Sequence, residues 1–185
     1  MSNEIKKESK GSLFVNFIIE RMKKNKGIAA VFRRADNPAT EYQCWEQLAL
    51  FHIELDKDYI RLPYVTVAAA VAKAKSEKNG ATKIGCALAN CYENGKESDQ
   101  AKAKLRRLLA CDSVEEVCRI LRPVFSLILS KSKFSLDYAQ VLNDLLGFHQ
   151  DERRQKIKSR WAQDFYRGKN TVNQAESVQL KGDAA

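Results

Sequence analysis

The chain has 185 residues, 44% of them hydrophobic, with only three prolines and eight glycines. That content is enough for a buried core and too poor in turn residues for an all-β protein. The formal net charge of +9 points to a polyanionic partner and says nothing of fold.

Helical periodicity runs through the sequence, with no internal repeat. Leu13, Phe14, Phe17, Ile18 and Met22 form a three- and four-residue stripe, with Ser12 as the expected N-cap. A short helix is predicted over Ile28–Arg34 after Gly27. Asn37-Pro38 is a helix start, Asn capping and Pro first, and it leads Tyr42, Trp45, Leu48, Ala49 and His52 along one apolar face. Leu62-Pro63 opens the next helix. Its Tyr64–Val67 stretch is β-branched enough for a local strand, but the alanines 68–70 and 72 favour helix. The polar segment Lys75–Lys83, with Asn79-Gly80, reads as a loop between two bundles.

A short helix is then predicted near Ile84–Tyr92, a turn at Gly95 and a helix over Ser98–Ala110. Ser113 and Glu116 form a capping-box pattern before a helix whose apolar face is Val114, Val117, Cys118, Leu121, Phe125 and Ile128. Pro123 predicts a kink or break in it. Ser135 is the expected cap of Leu136–Leu146, with Gly147 at C′. The last helix is predicted over Asp151–Tyr166, anchored by Trp161 and Phe165, four residues apart on one face. The expectation is an all-α protein of two small helical bundles, 12–75 and 84–167, with about eight or nine helices in all. A flexible head, 1–11, and a disordered tail, 168–185, flank them.

No apolar run reaches the roughly 18 residues of a membrane span. The polar start Met1–Gly11 and the stretch Leu13–Ile19, interrupted by Asn16, do not make a secretory signal. A cytoplasmic location without membrane contact is expected. The five cysteines, Cys44, Cys86, Cys91, Cys111 and Cys118, are odd in number, contain no CxxC and read as buried or half-buried free thiols. Neither histidine stands at metal-ligand spacing from a cysteine, so no metal and no cofactor is expected. His52, on the apolar face, is a core or edge residue with no triad partners nearby. There is no glycine-rich phosphate loop, and Asp56 and Asp58 specify no reaction by themselves.

Charge is segregated along the chain. Residues 1–34 carry 9 basic and 3 acidic groups, 35–72 carry 2 and 6, 73–110 carry 9 and 4, 111–152 carry 4 and 7, and 153–185 carry 8 and 3. Basic and acidic helices therefore alternate, and a basic stripe on one side would leave other surfaces for protein partners. Arg33 and Arg34 close the second helix, where they either compensate the helix dipole or clamp phosphate. Lys102, Lys104, Arg106 and Arg107 share one helix, and Arg119 and Arg122 lie three apart on the next. Two adjacent helices can align a row of cations, or these are solvated faces. Arg153, Arg154, Lys156, Lys158 and Arg160 form a third basic run, better read as a solvated face. No helix opens with base-reading residues, and stacking platforms are poor because most aromatics fall on apolar faces. The expected binding is backbone-directed and sequence-tolerant.

Five pieces of the chain, taken in order, resemble one family. They are Gly27–Arg34 (GIAAVFRR), a short helix ending in an arginine pair; Ile84–Ala89 (IGCALA); Lys104–Asp112, a basic helix running into Leu-Leu and an acidic residue; Ile120-Leu121-Arg122; and Trp161–Tyr166 (WAQDFY). Over roughly residues 12–167 the sequence resembles the CasB small subunit of the type I-E CRISPR complex Cascade. The resemblance implies two helical bundles and no catalysis. It implies paired copies within a complex of other Cascade subunits, holding the crRNA–target DNA heteroduplex and guiding the displaced non-target strand so that the R-loop stays open. The family's basic positions transfer to Arg34, Lys104 and Arg122, with Arg33, Lys102, Arg107 and Arg119 as neighbours. Cys86 stands where some relatives carry a basic residue, and Lys104 replaces an arginine, which weakens bidentate phosphate contact there. Two other classes fit the composition: a free-standing helical DNA- or RNA-binding regulator, and an adaptor that contacts only proteins.

Overall fold

The structure, a computed structural model, describes residues 8–131 and 135–167. Among them it contains nine α-helices and two 3-10 segments, with no strand beyond one isolated parallel bridge between Thr82 and Leu136. In chain order these are α1 (Lys10–Lys24), α2 (Lys26–Arg34), the 3-10 segment Pro38–Cys44, α3 (Trp45–Leu50) and α4 (Asp58–Ala74). Then follow α5 (Ile84–Ala89), the 3-10 turn Gly95–Glu97, α6 (Asp99–Ala110), α7 (Val114–Lys131), α8 (Tyr138–Gly147) and α9 (Asp151–Arg167). Of the expected head 1–11, residues 1–7 lie outside the described residues, as does the tail 168–185, whereas Lys10 and Gly11 are part of α1, with Gly11 buried. No helix among those described is long and apolar enough to cross a membrane.

The centre of the molecule is α4. Every residue from Pro63 to Ala72 is buried, as expected of a helix that is apolar on all sides. α1, α2, α7 and α8 all pack on it, and its alanines let four neighbours approach closely. The stretch Tyr64–Val67 is therefore helical in spite of its β-branched residues, because burial on all sides outweighs propensity. The core is one connected cluster that runs from Phe14 on α1 to Phe165 on α9. Loop 75–83 is pinned to the segment before α8: Asn79 Nδ2 donates to Asp137 Oδ1 at 2.8 Å, and the Asp137 amide donates to the Thr82 carbonyl at 2.9 Å.

Several boundaries differ from the sequence reading. The α1 cap is Ser9, whose hydroxyl accepts from the Ser12 amide at 3.1 Å, so Ser12 is inside the helix. α4 starts at Asp58, a turn before Leu62-Pro63, and α5 stops at Ala89. α7 continues through Pro123 without a break. α8 is capped by Asp137 in place of Ser135, and Gly147 is its last helical residue. The capping box at Ser113 is half formed: Glu116 donates its amide to Ser113 Oγ, but its carboxylate accepts from the Asp112 amide. The larger correction concerns residues 42–52. Tyr42, Trp45, Ala49 and His52 are exposed, and the buried residues are Glu41, Cys44, Gln47 and Leu48. Residues 38–44 wind at three residues per turn, so a face drawn at 3.6 rotates out of register. His52 terminates this segment with φ 56°.

α9 is fastened to α5 and α8. A Cβ on Gly85 would sit 2.3 Å from the Trp161 carbonyl oxygen, so only glycine lets α5 lie this close to α9. Trp161 and Phe165 are buried, as their spacing implied. The indole Nε1 donates to Asp144 Oδ2 at 2.7 Å, and the same buried carboxylate accepts from Gln140 Nε2 at 2.6 Å and from Arg160. Three donors thus satisfy an acid that has no water to turn to.

Trp161→Ala is expected to cost about 3–5 kcal/mol through the cavity it leaves and the donor it removes, measured by urea unfolding; an equally stable variant would place the indole outside the core. Burial pushes the Asp144 carboxyl above its ordinary range, against the pull of Trp161, Arg160 and Gln140. The folded state therefore holds this proton more tightly than the unfolded chain. Its contribution to stability is complete below the unfolded value of about 3.9 and is lost as pH rises through the folded one. The parent should gain on Asp144→Asn in unfolding free energy as the pH falls from 7 toward 4; a constant gap would refute the raised value.

Candidate nucleic-acid interface

The sequence-derived cations fall into two groups. At the end of α2, Arg33 and Arg34 are exposed and have no ion-pair partner among the described residues. The chain turns there because the Arg34 carbonyl accepts from Thr40 Oγ1 at 2.6 Å and from the Asn37 amide at 3.1 Å. This turn places Asp36 between α4 and α7. Its carboxylate is bonded by Lys73 of α4 and lies 3.9 Å from Arg122 Nε of α7. Arg33 and Arg34 are thus two or three residues from the carboxylate beside Arg122. Arg122 Nε is buried with no hydrogen-bond partner among the described residues, and its side chain is 16% exposed.

Arg119, one turn before Arg122, is exposed and only loosely paired, 4.0 Å from Glu116. Both arginines line a groove of ≈ 390 Å³ together with Tyr42, Trp45 and Arg61. Arg61 is held there by Glu41 at 2.7 Å and Asp58 at 2.7 Å, with its guanidinium 5.5 Å from the Trp45 ring centre. The thiol of Cys118, on the groove floor, is pushed up to about 12 by burial, so it stays protonated.

The second group lies on α6, which packs on α5, α7 and α9. Lys102 pairs with Glu97 at 3.1 Å. Lys104 is half-buried and Arg107 exposed, and neither has an ion-pair partner among the described residues. On α9, where the sequence reads as a solvated face, Arg153 and Lys156 are exposed, but Arg154, Lys158 and Arg160 are half-buried and paired with Asp151, Asp112 and Asp144. All five cysteines are free, four buried and Cys86 half-buried. Among the described residues no group of three or more histidines, cysteines or carboxylates is arranged to hold a metal.

Sequence reasoning missed Asp36, Lys73, Arg61 and the exposed Tyr42–Trp45 pair. A three-residue count from Pro38, which places Glu41, Cys44 and Gln47 together, would have turned the two aromatics outward.

The described residues form an all-helical fold whose surface carries Arg33, Arg34, Lys104 and Arg107 without an ion-pair partner among them. A profile of the CRISPR-associated protein Cse2 matches residues 28–166, and the chain belongs to that family. Three solved structures share the fold. A CRISPR-associated protein of the Cse2 family from Thermus thermophilus is 22% identical, with a TM-score of 0.67 over 87% of this chain and 100% of that one. A structure of CasB from Thermus thermophilus is 23% identical, with a TM-score of 0.66 over 87% and 100%. M. ruber CasB is 23% identical, with a TM-score of 0.66 over 92% and 98%. No curated protein matches the chain in sequence.

Asp36→Ala is expected to cost about 1–3 kcal/mol, because it leaves Lys73 and Arg122, both partly buried, without their acceptor. Chemical denaturation measures this. A change within about 0.5 kcal/mol, typical of exposed surface sites, would show that the pair with Lys73 is solvated.

Proposed function

We propose that this chain is the non-catalytic small subunit of a CRISPR RNA-guided surveillance complex of the Cascade type, working in the cytoplasm in antiviral defence. In this reading it holds nucleic-acid backbone through Arg33, Arg34, Lys102, Lys104, Arg107, Arg119 and Arg122. It thereby stabilises the crRNA–target DNA heteroduplex and the displaced non-target strand. Its partners are those nucleic acids, the other Cascade subunits and a second copy of itself, with residues 12–75 and 84–167 as its two bundles.

The observation that carries the reading is the pairing pattern of the cations. On α9, Arg154, Lys158 and Arg160 are paired with carboxylates of the same chain and Arg153 and Lys156 are exposed without one among the described residues; Arg33, Arg34, Lys104 and Arg107 likewise have none, and Arg119 and Arg122 have distant ones. Cations left without partners on a fixed scaffold are available to phosphate. R-loop formation exchanges one duplex for another of nearly equal stability, so a few such contacts tip it. Arg122 and Arg119 also offer the planar forks that suit phosphate oxygens.

The test is a triple variant, Arg34→Glu, Lys104→Glu and Arg122→Gln, in the assembled complex. Glutamine is used at Arg122 because a carboxylate there would face Asp36 and test folding instead of binding. R-loop lifetime should fall to a similar degree for every target sequence. The dependence of log affinity on log salt should flatten by roughly 0.7–0.9 for each phosphate contact removed. A triple variant that assembles and holds R-loops like the parent at every salt concentration overturns the assignment.

A further inference from the structure

Two large aromatic side chains stand in the open beside the α7 arginines. Tyr42 is 60% exposed and Trp45 38% exposed, and both line the groove that Arg119 and Arg122 face. Neither ring serves the core, which Cys44 and Leu48 fill from the same segment. Trp45 is fixed from its own side. Arg61 packs over its ring and is itself locked by Glu41, 8% exposed, and by Asp58. The ring is therefore oriented before any ligand arrives, which lowers the entropy cost of using it.

We infer that this groove seats unpaired bases of a single-stranded nucleic acid, stacked on Trp45 and Tyr42, while Arg119 and Arg122 take the adjoining phosphates. The inference rests on the nucleic-acid reading above and deepens it, by making the ligand a single strand held by its bases as well as its backbone. The chemistry requires both halves. An aromatic face binds any base, because every base has a π-face, and an arginine row follows the backbone. The groove volume of ≈ 390 Å³ is in the ~300–1,000 Å³ range of small-ligand clefts. Glu41 and Asp58 line the same groove but are both occupied by Arg61. Glu115 is then the one lining carboxylate opposed to Arg119 and Arg122. A base in a duplex has both faces covered by its neighbours, so paired DNA cannot use this platform.

The experiment titrates the full chain at low salt with a fifteen-residue oligothymidylate, its abasic counterpart and a duplex of equal length. Trp161 is buried, so quenching of tryptophan fluorescence reports Trp45 in the parent, and the affinity of every strand and variant is read from the anisotropy of an end-labelled strand. The oligothymidylate should quench, and the abasic strand and the duplex should not. Trp45→Ala should weaken oligothymidylate binding roughly five-fold or more, Trp45→Phe should largely restore it, and the abasic strand should bind parent and Trp45→Ala alike. Arg122→Gln should weaken both strands. If Arg122→Gln weakens binding but Trp45→Ala does not, or if duplex quenches as well as single strand, the stacking site is wrong and the backbone reading stands. If the chain binds no strand at any concentration reached, both are wrong. Trp45 is outside the core, and unchanged melting of Trp45→Ala confirms that binding alone is being read.

Discussion

The constraint on which the structure depends is the complete burial of α4. A helix with small and β-branched side chains on every face has no solvent side, so it must be surrounded. Four helices supply the surround: α1 and α2 from the first part of the chain, α7 and α8 from the second. This single requirement joins the two sets of helices across the loop 75–83 and brings the end of α2 to the flank of α7. The polar consequence is Asp36, which the turn after α2 delivers between Lys73 and Arg122. The candidate interface is thus a by-product of how the core closes.

How much of this was legible in the sequence depends on whether local pattern or tertiary contact decides each feature. The all-helical class and the anchor at Trp161 and Phe165 are periodic features, and they appear where the period places them. The α1 and α8 caps shifted because two capping residues compete within three positions of each other, Ser9 with Ser12 and Asp137 with Ser135, and the backbone trajectory selects between them. The inversion of residues 42–52 is a different kind of failure. A seven-residue 3-10 segment changes the angular step, and every residue beyond it lands on another face. That error hid the aromatic pair and made His52 a core or edge residue on paper, where the structure exposes it. The arginines were legible as a set, but which of them are already paired is a tertiary fact, invisible in a charge count.

That distinction alters what a net charge of +9 means. α9 is among the most basic helices in the sequence, yet its three half-buried cations answer Asp112, Asp144 and Asp151. Asp112 shows the effect from the other side: its hydrogen bond and attraction to Lys158, aided by Arg154, hold its carboxyl below the usual range. Such pairs bind α9 to its neighbours and contribute little external field. The surplus that a polyanion would feel includes the end of α2, α6 and the outer stripe of α7, with Arg153 and Lys156 of α9 also exposed and without an ion pair among the described residues. A sequence-level stripe therefore has to be corrected by the internal pairs before it is read as a surface.

The state of Arg122 follows from the same correction. Its side chain is half-buried, its buried Nε has no hydrogen-bond partner among the described residues, and its nearest carboxylate is 3.9 Å away and already bonded to Lys73. An arginine left in this condition keeps most of its attraction for an incoming anion while losing most of its hydration, and the desolvation cost has been met in folding. Asp36 keeps that position tolerable in the absence of a ligand without satisfying it. A phosphate arriving at the groove would meet whatever part of Arg122 is accessible and leave Lys73 to hold Asp36, so no ion pair has to break. An exposed lysine at the same position would offer charge without that preorganisation. This is the physical reason to look for binding at Arg122 and its groove before the more numerous cations elsewhere.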